Sequence, residues 1–132
     1  MNYQYSFEKL EVWQNAQKFV VLIYNITSKF PNEEKYGLVS QMRKASVSIS
    51  SNIAEGSSRH SLKDQIRFTE IAYGSALETY CQLKISLALL FLSEIEFQEA
   101  NILLKEITNK LNALKNSQQK RLHEQTNNQI NK

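Results

Sequence analysis

The amino-acid sequence predicts an all-α protein, an antiparallel up-down four-helix bundle, and three observations carry that prediction. Glycine and proline are scarce, three and one in 132 residues, which leaves too little punctuation for a sheet of short strands. Apolar residues return at alternating spacings of three and four over four separate stretches, the repeat that lays a stripe along a helix. The strongest stop signals, Pro31 and Gly56, fall between those stretches. At 15.3 kDa the chain has room for one core and not for two.

The first stripe is Trp13, Ala16, Val20, Ile23, Thr27 and Phe30, and it predicts a helix over residues 8–30 that Pro31 stops. Glu33 and Glu34 place negative charge where a first helical turn favours it. The stripe Leu38, Met42, Ala45, Ile49 and Asn52 or Ile53 then predicts a helix over 34–56, with Gly56 expected as a left-handed C-cap. Ser61 with Asp64 resembles a capping box for a third helix over 62–92, whose stripe is Ile66, Thr69, Tyr73, Ala76, Tyr80, Leu83, Leu87 and Leu90. Ser93 with Glu96 opens a fourth over 95–116, carrying Phe97, Ala100, Leu104, Ile107, Leu111 and Leu114. Together these make one bundle domain over 1–116. Residues 117–132 hold only Leu122 and Ile130 as large apolar side chains, so they are expected to be frayed or disordered.

Several function classes are disfavoured by composition. One cysteine, Cys81, and two histidines far apart, His60 and His123, offer neither an intrachain disulfide nor a zinc site. A carboxylate di-iron bundle needs inward Glu-x-x-His pairs, and the sequence contains none. Glu55, His60 and Glu78 have no spacing that converges on a reacting atom, so catalytic residues, metal and cofactors are all expected to be absent. No apolar run approaches the ~20 residues that span a bilayer, and the N-terminus lacks the pattern of a secretion signal. A cytoplasmic protein with no membrane partner is the expectation.

The second helix poses a question of its own, since residues 41–61 contain seven serines, which are mediocre helix formers. Ser46 falls within the core stripe. Lys44, Ser48, Ser51 and Glu55 form a row on the opposite side, and Arg43, Val47, Ser50 and Ala54 a row beside it. On the third helix an off-core row runs Lys63, Arg67, Glu70, Gly74, Glu78, Cys81 and Ile85. A mid-helix glycine costs about 1 kcal/mol relative to alanine, so Gly74 implies a close helix crossing or a contacting subunit. Ser48, Ser51, Glu55, Gly74 and Glu78 are therefore the candidate oligomer interface.

The stretches "LEVWQNA", "FPNEEKYGLVSQMRKA", "SISSNIAEG" and "AYGSALE", in this order and spacing, resemble the four-helix bundle proteins encoded in intervening sequences of bacterial 23S rRNA genes, over roughly residues 7–115. The resemblance implies a ring-shaped homo-oligomer, commonly a pentamer. It also implies an association with RNA or DNA, since the similar accessory variability protein of diversity-generating retroelements is a basic pentamer that binds both and contacts a reverse transcriptase. Where that family tends to carry two arginines, this chain has Arg43 and Lys44, which keeps the charge and loses one planar fork for phosphate.

With 16 Lys and Arg against 13 Asp and Glu the chain carries +3, so five copies in a ring would carry five times that, +15, enough to draw phosphate backbones with a steep salt dependence. The candidate cations are Arg43, Lys44, Arg59, Lys63 and Arg67, expected to cluster around the turn between the second and third helices, with Lys120 and Arg121 as added contacts. No feature indicates base-specific readout. The expected function is that of a noncatalytic, RNA-associated accessory protein. The alternative is a scaffold that binds a protein such as a reverse transcriptase and has no direct nucleic-acid role.

Overall fold

In the computed structural model, which describes residues 4–130, the four apolar stripes become four helices in up-down order: α1 (Glu11–Thr27), α2 (Leu38–Ser57), α3 (Leu62–Ala88) and α4 (Glu94–Ile130). Residues 1–3 of the expected bundle domain and residues 131–132 of the expected tail lie outside the described residues. Each helix packs on its sequence neighbours, and α4 closes the bundle against α1. Short 3-10 turns at Ser6–Lys9 and Asn32–Glu34 precede α1 and α2.

Local chemistry sets the helix ends. α1 stops at Thr27, three residues short of Phe30, because the residue before Pro31 is pushed out of helical geometry. Phe30 still turns inward and packs against Phe91 with ring centroids 5.5 Å apart. α2 begins at Leu38 and not at 34; the Glu34 carboxylate accepts from the Leu38 backbone N–H at 3.3 Å, acting on the first turn from outside it. Ser61 Oγ accepts from Asp64 N–H at 3.1 Å, and at α4 the box is reciprocal: Glu96 N–H donates to Ser93 Oγ and Ser93 N–H to the Glu96 carboxylate.

α3 ends at Ala88 and not at 92, because Leu90 adopts φ 63°. The Leu90 and Phe91 N–H groups then turn back to the Leu87 and Ser86 carbonyls, the Schellman pattern that usually has glycine at this position. Gly56, expected as a left-handed C-cap, is no cap at all. It lies inside α2 at negative φ, where an added Cβ would stand 2.9 Å from Phe68 Cβ, so its smallness lets α3 close on α2.

The core contains Phe19, Ile23, Met42, Ile49, Leu83, Ile107 and Leu111, all fully buried. Two stripes are rotated from expectation. On α1, Val12 and Phe19 point inward while Trp13 and Val20 sit at the edge. On α3 the inward face is Ala72, Ala76, Thr79, Leu83 and Ser86, and Tyr80 and Leu90 are exposed. Small residues hold that face because α2 comes close there: Ser48 Oγ and Ser75 Oγ lie 2.8 Å apart, and Ser86 Oγ reaches Met42 Sδ at 3.5 Å.

The expected tail is helical through Ile130 among the described residues. Its first turns still have something to pack on: Gln118 is buried and its Oε1 accepts from Thr69 Oγ1 at 2.9 Å, and Leu122 is half-buried. Beyond Gln118 the helix runs about 18 Å further at 1.5 Å per residue. Thr126 Oγ1, bonded to the Leu122 carbonyl, and the Asn127–His123 pair are its local supports. Among the described residues no helix is long and apolar enough to cross a membrane.

Candidate nucleic-acid interface

The five candidate cations fall into two groups, not one. Arg43 and Lys44 lie near the start of α2, and Arg59, Lys63 and Arg67 surround the α2–α3 turn, about 20 Å away along the helix axis. The sequence places all five around one turn; the part of α2 that follows Lys44 separates the two runs.

Within the first group the two side chains do different work. Arg43 Nε donates to Thr27 Oγ1 at 3.0 Å, its Nη2 donates to the Tyr24 carbonyl at 3.3 Å, and its guanidinium lies 4.4 Å from the Tyr24 ring centroid. The Tyr24 carbonyl also accepts from the Ser28 N–H, so Arg43 adds a second donor there and places positive charge at the C-terminal end of α1, where the helix dipole favours it. Lys44 has no hydrogen bond or ion pair among the described residues. In the second group, Arg59 pairs with Glu55 one helical turn earlier and lies 4.9 Å from the Phe68 ring, with Arg67 5.9 Å from the same ring. Lys63 and Arg67 have no acidic partner among the described residues.

Arg121 of α4 lines a cleft with Gly56, Ser57, Gln65 and Thr69, so the helical extension brings a further cation to the α2–α3 end of the bundle. Residues the sequence reading passed over lie at the other end. Tyr24, Lys35 and Tyr36 join Arg43, Lys44, Val39 and Val47 around an open groove of about 600 Å³ that no acidic side chain lines. Tyr36 is 87% exposed, and Lys35 Nζ lies 5.6 Å from its ring. The sequence did carry a signal for this groove: an aromatic residue between a lysine and a glycine in the "EKYG" turn, followed about two helical turns later by Arg43 and Lys44.

The candidate interface residues divide in the same way. Ser48 is used within the chain: besides its contact to Ser75, it takes the Asn52 Nδ2 donor on its hydroxyl at 3.0 Å and on its carbonyl at 2.8 Å. Ser51 is exposed, Glu55 holds Arg59, and Glu78 accepts weakly from Gln82 at 3.5 Å. Gly74 has no atom within 4 Å of where a Cβ would stand, so no helix of its own chain crosses there. It lies instead on the rim of a shallow cleft with Tyr73, Leu111 and Lys115.

Glu55, His60 and Glu78 do not come together as a catalytic set: Glu55 is taken by Arg59, and Glu78 lies far along α3 from the turn that bears His60. Among the described residues no group of three His, Cys, Asp or Glu side chains is placed to hold a metal ion. Cys81 is exposed and unpaired.

Comparison with known proteins places this geometry among relatives. The profile of a family described as 23S rRNA-intervening sequence protein matches residues 8–113, which takes in all of α1, α2 and α3 and most of the packed part of α4. The fold is similar to the crystal structure of a protein of unknown function from the S23 ribosomal protein family of Bacteroides thetaiotaomicron. The TM-score is 0.74 at 25% sequence identity, over 80% of this chain and 95% of that one. No curated protein matches the chain.

Proposed function

The chain belongs to the 23S rRNA-intervening sequence protein family, and on that premise we propose that it is a noncatalytic accessory protein that assembles into a homo-oligomeric ring, a pentamer, and holds RNA by its phosphate backbone. The observation that carries the reading is the state of its exposed cations: Lys44, near the start of α2, and Lys63 and Arg67, beside the α2–α3 turn, have no acidic partner among the described residues, and Arg59 and Arg121 also stand beside that turn. Unpaired, solvated charges of this kind interact with phosphates through release of counterions, and a ring would repeat each of the two groups around the assembly. Gly74, left open by its own chain, supplies a surface on which a second copy can approach closely.

The test is charge reversal where the fold does not depend on the side chain. Lys44→Glu, Lys63→Glu and Arg67→Glu combined should weaken binding to a structured ribosomal RNA fragment and lower the slope of log affinity against log salt by about one for each phosphate contact removed. An unchanged affinity and slope would overturn the RNA reading.

The other reading, a protein scaffold with no direct nucleic-acid role, draws on one observation. Leu89, Leu90 and Ile95 are exposed around the α3–α4 turn, an apolar end suited to a protein such as a reverse transcriptase. A ring that ignores RNA at low salt yet retains such a partner would favour it.

A further inference from the structure

Phosphate contacts alone do not account for the groove between the end of α1 and the start of α2. Its surface is largely apolar, with Val39 and Val47 on its walls, yet three cations border it and no carboxylate does. Two aromatic rings stand at it, Tyr24 and Tyr36, and each has a cation against its face: the Arg43 guanidinium at 4.4 Å and Lys35 Nζ at 5.6 Å. The nearest carboxylate in sequence, Glu34, is turned to the Leu38 N–H.

Tyr36 is the informative member. At 87% exposure it packs on almost nothing, and burial within this chain does not explain an aromatic ring there. Tyr24, by contrast, is fixed from both sides, by its place in α1 and by Arg43, whose hydrogen bonds to Thr27 and to the Tyr24 carbonyl hold the guanidinium over the ring.

We infer that this groove binds a single-stranded RNA segment, its bases stacking on Tyr36 and Tyr24 and its phosphates meeting Lys35 and Lys44. The inference rests on the RNA-associated reading above and narrows it. A rigid duplex keeps its base faces inside the stack, so it can use the cations and not the rings; an unpaired strand can use both. Arg43 here is a positioning residue, since its Nε and Nη2 bonds to Thr27 and the Tyr24 carbonyl fix the guanidinium against the Tyr24 ring. An acidic protein segment is the competing occupant, because it would satisfy Lys35 and Lys44 without needing a flat ring.

The experiment uses the full chain, a labelled twelve-nucleotide uridine RNA, the same length of deoxyuridine DNA, a blunt RNA duplex and a polyglutamate peptide, followed by fluorescence anisotropy. Tyr36→Ala should weaken the single strand about tenfold and leave the duplex unchanged, in line with the loss of one stacked base. Tyr36→Phe should retain single-strand binding, because a stack needs the ring and not the hydroxyl. The exposed position makes a folding defect in either variant unexpected, and circular dichroism checks it.

Equal single-strand affinity in Tyr36→Ala and the unaltered chain would overturn the groove assignment while leaving the RNA reading standing. So would displacement of the RNA by polyglutamate at equal concentration with the same dependence on Tyr36. Tighter binding of the DNA strand would overturn the assignment to RNA. Binding of neither strand nor duplex would instead remove the broader reading on which the inference rests.

Discussion

Two helical glycines, Gly56 and Gly74, have opposite surroundings, and the contrast separates a glycine that the fold needs from one that it does not. At Gly56 an added Cβ would meet Phe68 at 2.9 Å; at Gly74 it would meet nothing within 4 Å. Gly56 faces Phe68 and the Gln65 carbonyl of α3, and about two turns back along the same α2–α3 seam Ser48 and Ser75 meet. Around Gly74 the chain accepts the helix penalty of glycine and builds no contact with the space gained. The first glycine is explained by packing within the fold, and the second is not.

The contrast can be broken most sharply at Gly56. Gly56→Val should destabilise the chain by about 1–3 kcal/mol, the range for overpacking a seam whose nearest neighbour is a Cβ and cannot rotate away. Urea unfolding would measure it, and an unchanged midpoint would mean that α2 and α3 part more easily than the seam implies.

Gly74 should respond differently to two substitutions. Gly74→Ala should stabilise an isolated chain by up to about 1 kcal/mol, since only helix propensity changes there. Gly74→Leu should keep the helical signal while splitting the oligomer, and an unchanged mass in light scattering would remove this face from the assembly. If Gly74→Ala instead lowers stability, the open surface is covered by the chain itself in solution.

The smallest effect concerns the surface ion pairs that tie α4 to the bundle. Lys110 Nζ donates to Glu11 at 2.6 Å, to Asn15 Oδ1 at 2.7 Å and to Glu106 at 2.9 Å. The Lys110 ammonium holds the Glu11 carboxyl below its ordinary value, and the Ser93 N–H does the same for Glu96. A carboxyl depressed in the folded state contributes stability that is present above its ordinary value near 4.5 and is lost as pH falls through the folded one. Glu11, bonded to Lys110, raises the Lys110 pKa in turn, so that contribution is present below about 10.5 and is lost only as pH climbs past the raised value. The urea midpoint should therefore fall gently on acidification from pH 7 to pH 3, and Lys110→Met should flatten part of that fall. A Lys110→Met chain with the same pH dependence as the unaltered one would assign the slope to other carboxyls.

The same contrast explains how much of the molecule the sequence makes readable. Features set by nearby residues could be read directly: the number and order of the helices, the Ser93–Glu96 box, the place of Ser46 in the core and a break before Pro31. Features set across the bundle could not. Gly56 looked like a cap because nothing in its own helix reveals Phe68 on α3, and Arg43 looked like a free cation because its acceptors lie on α1. On α3 the larger Tyr73 and Tyr80 drew the predicted stripe away from Ala72, Thr79 and Ser86, whose small size is what a close seam selects. The helix past Ser117 was missed because one buried glutamine, bonded to Thr69, carries no hydrophobic signal. The groove at Tyr24 and Tyr36 escaped for a related reason: three stretches of chain contribute to it, and none looks like a binding motif alone.

Whether an assembly of this chain holds RNA through phosphate contacts can be read from its mass in solution. Light scattering would record the mass of the purified chain with and without a structured ribosomal RNA fragment, at low and at physiological salt. The expected result is a closed oligomer that gains the mass of the RNA at low salt and loses most of it as salt rises. A monomer at every concentration, or an oligomer whose mass never changes with RNA, would contradict it.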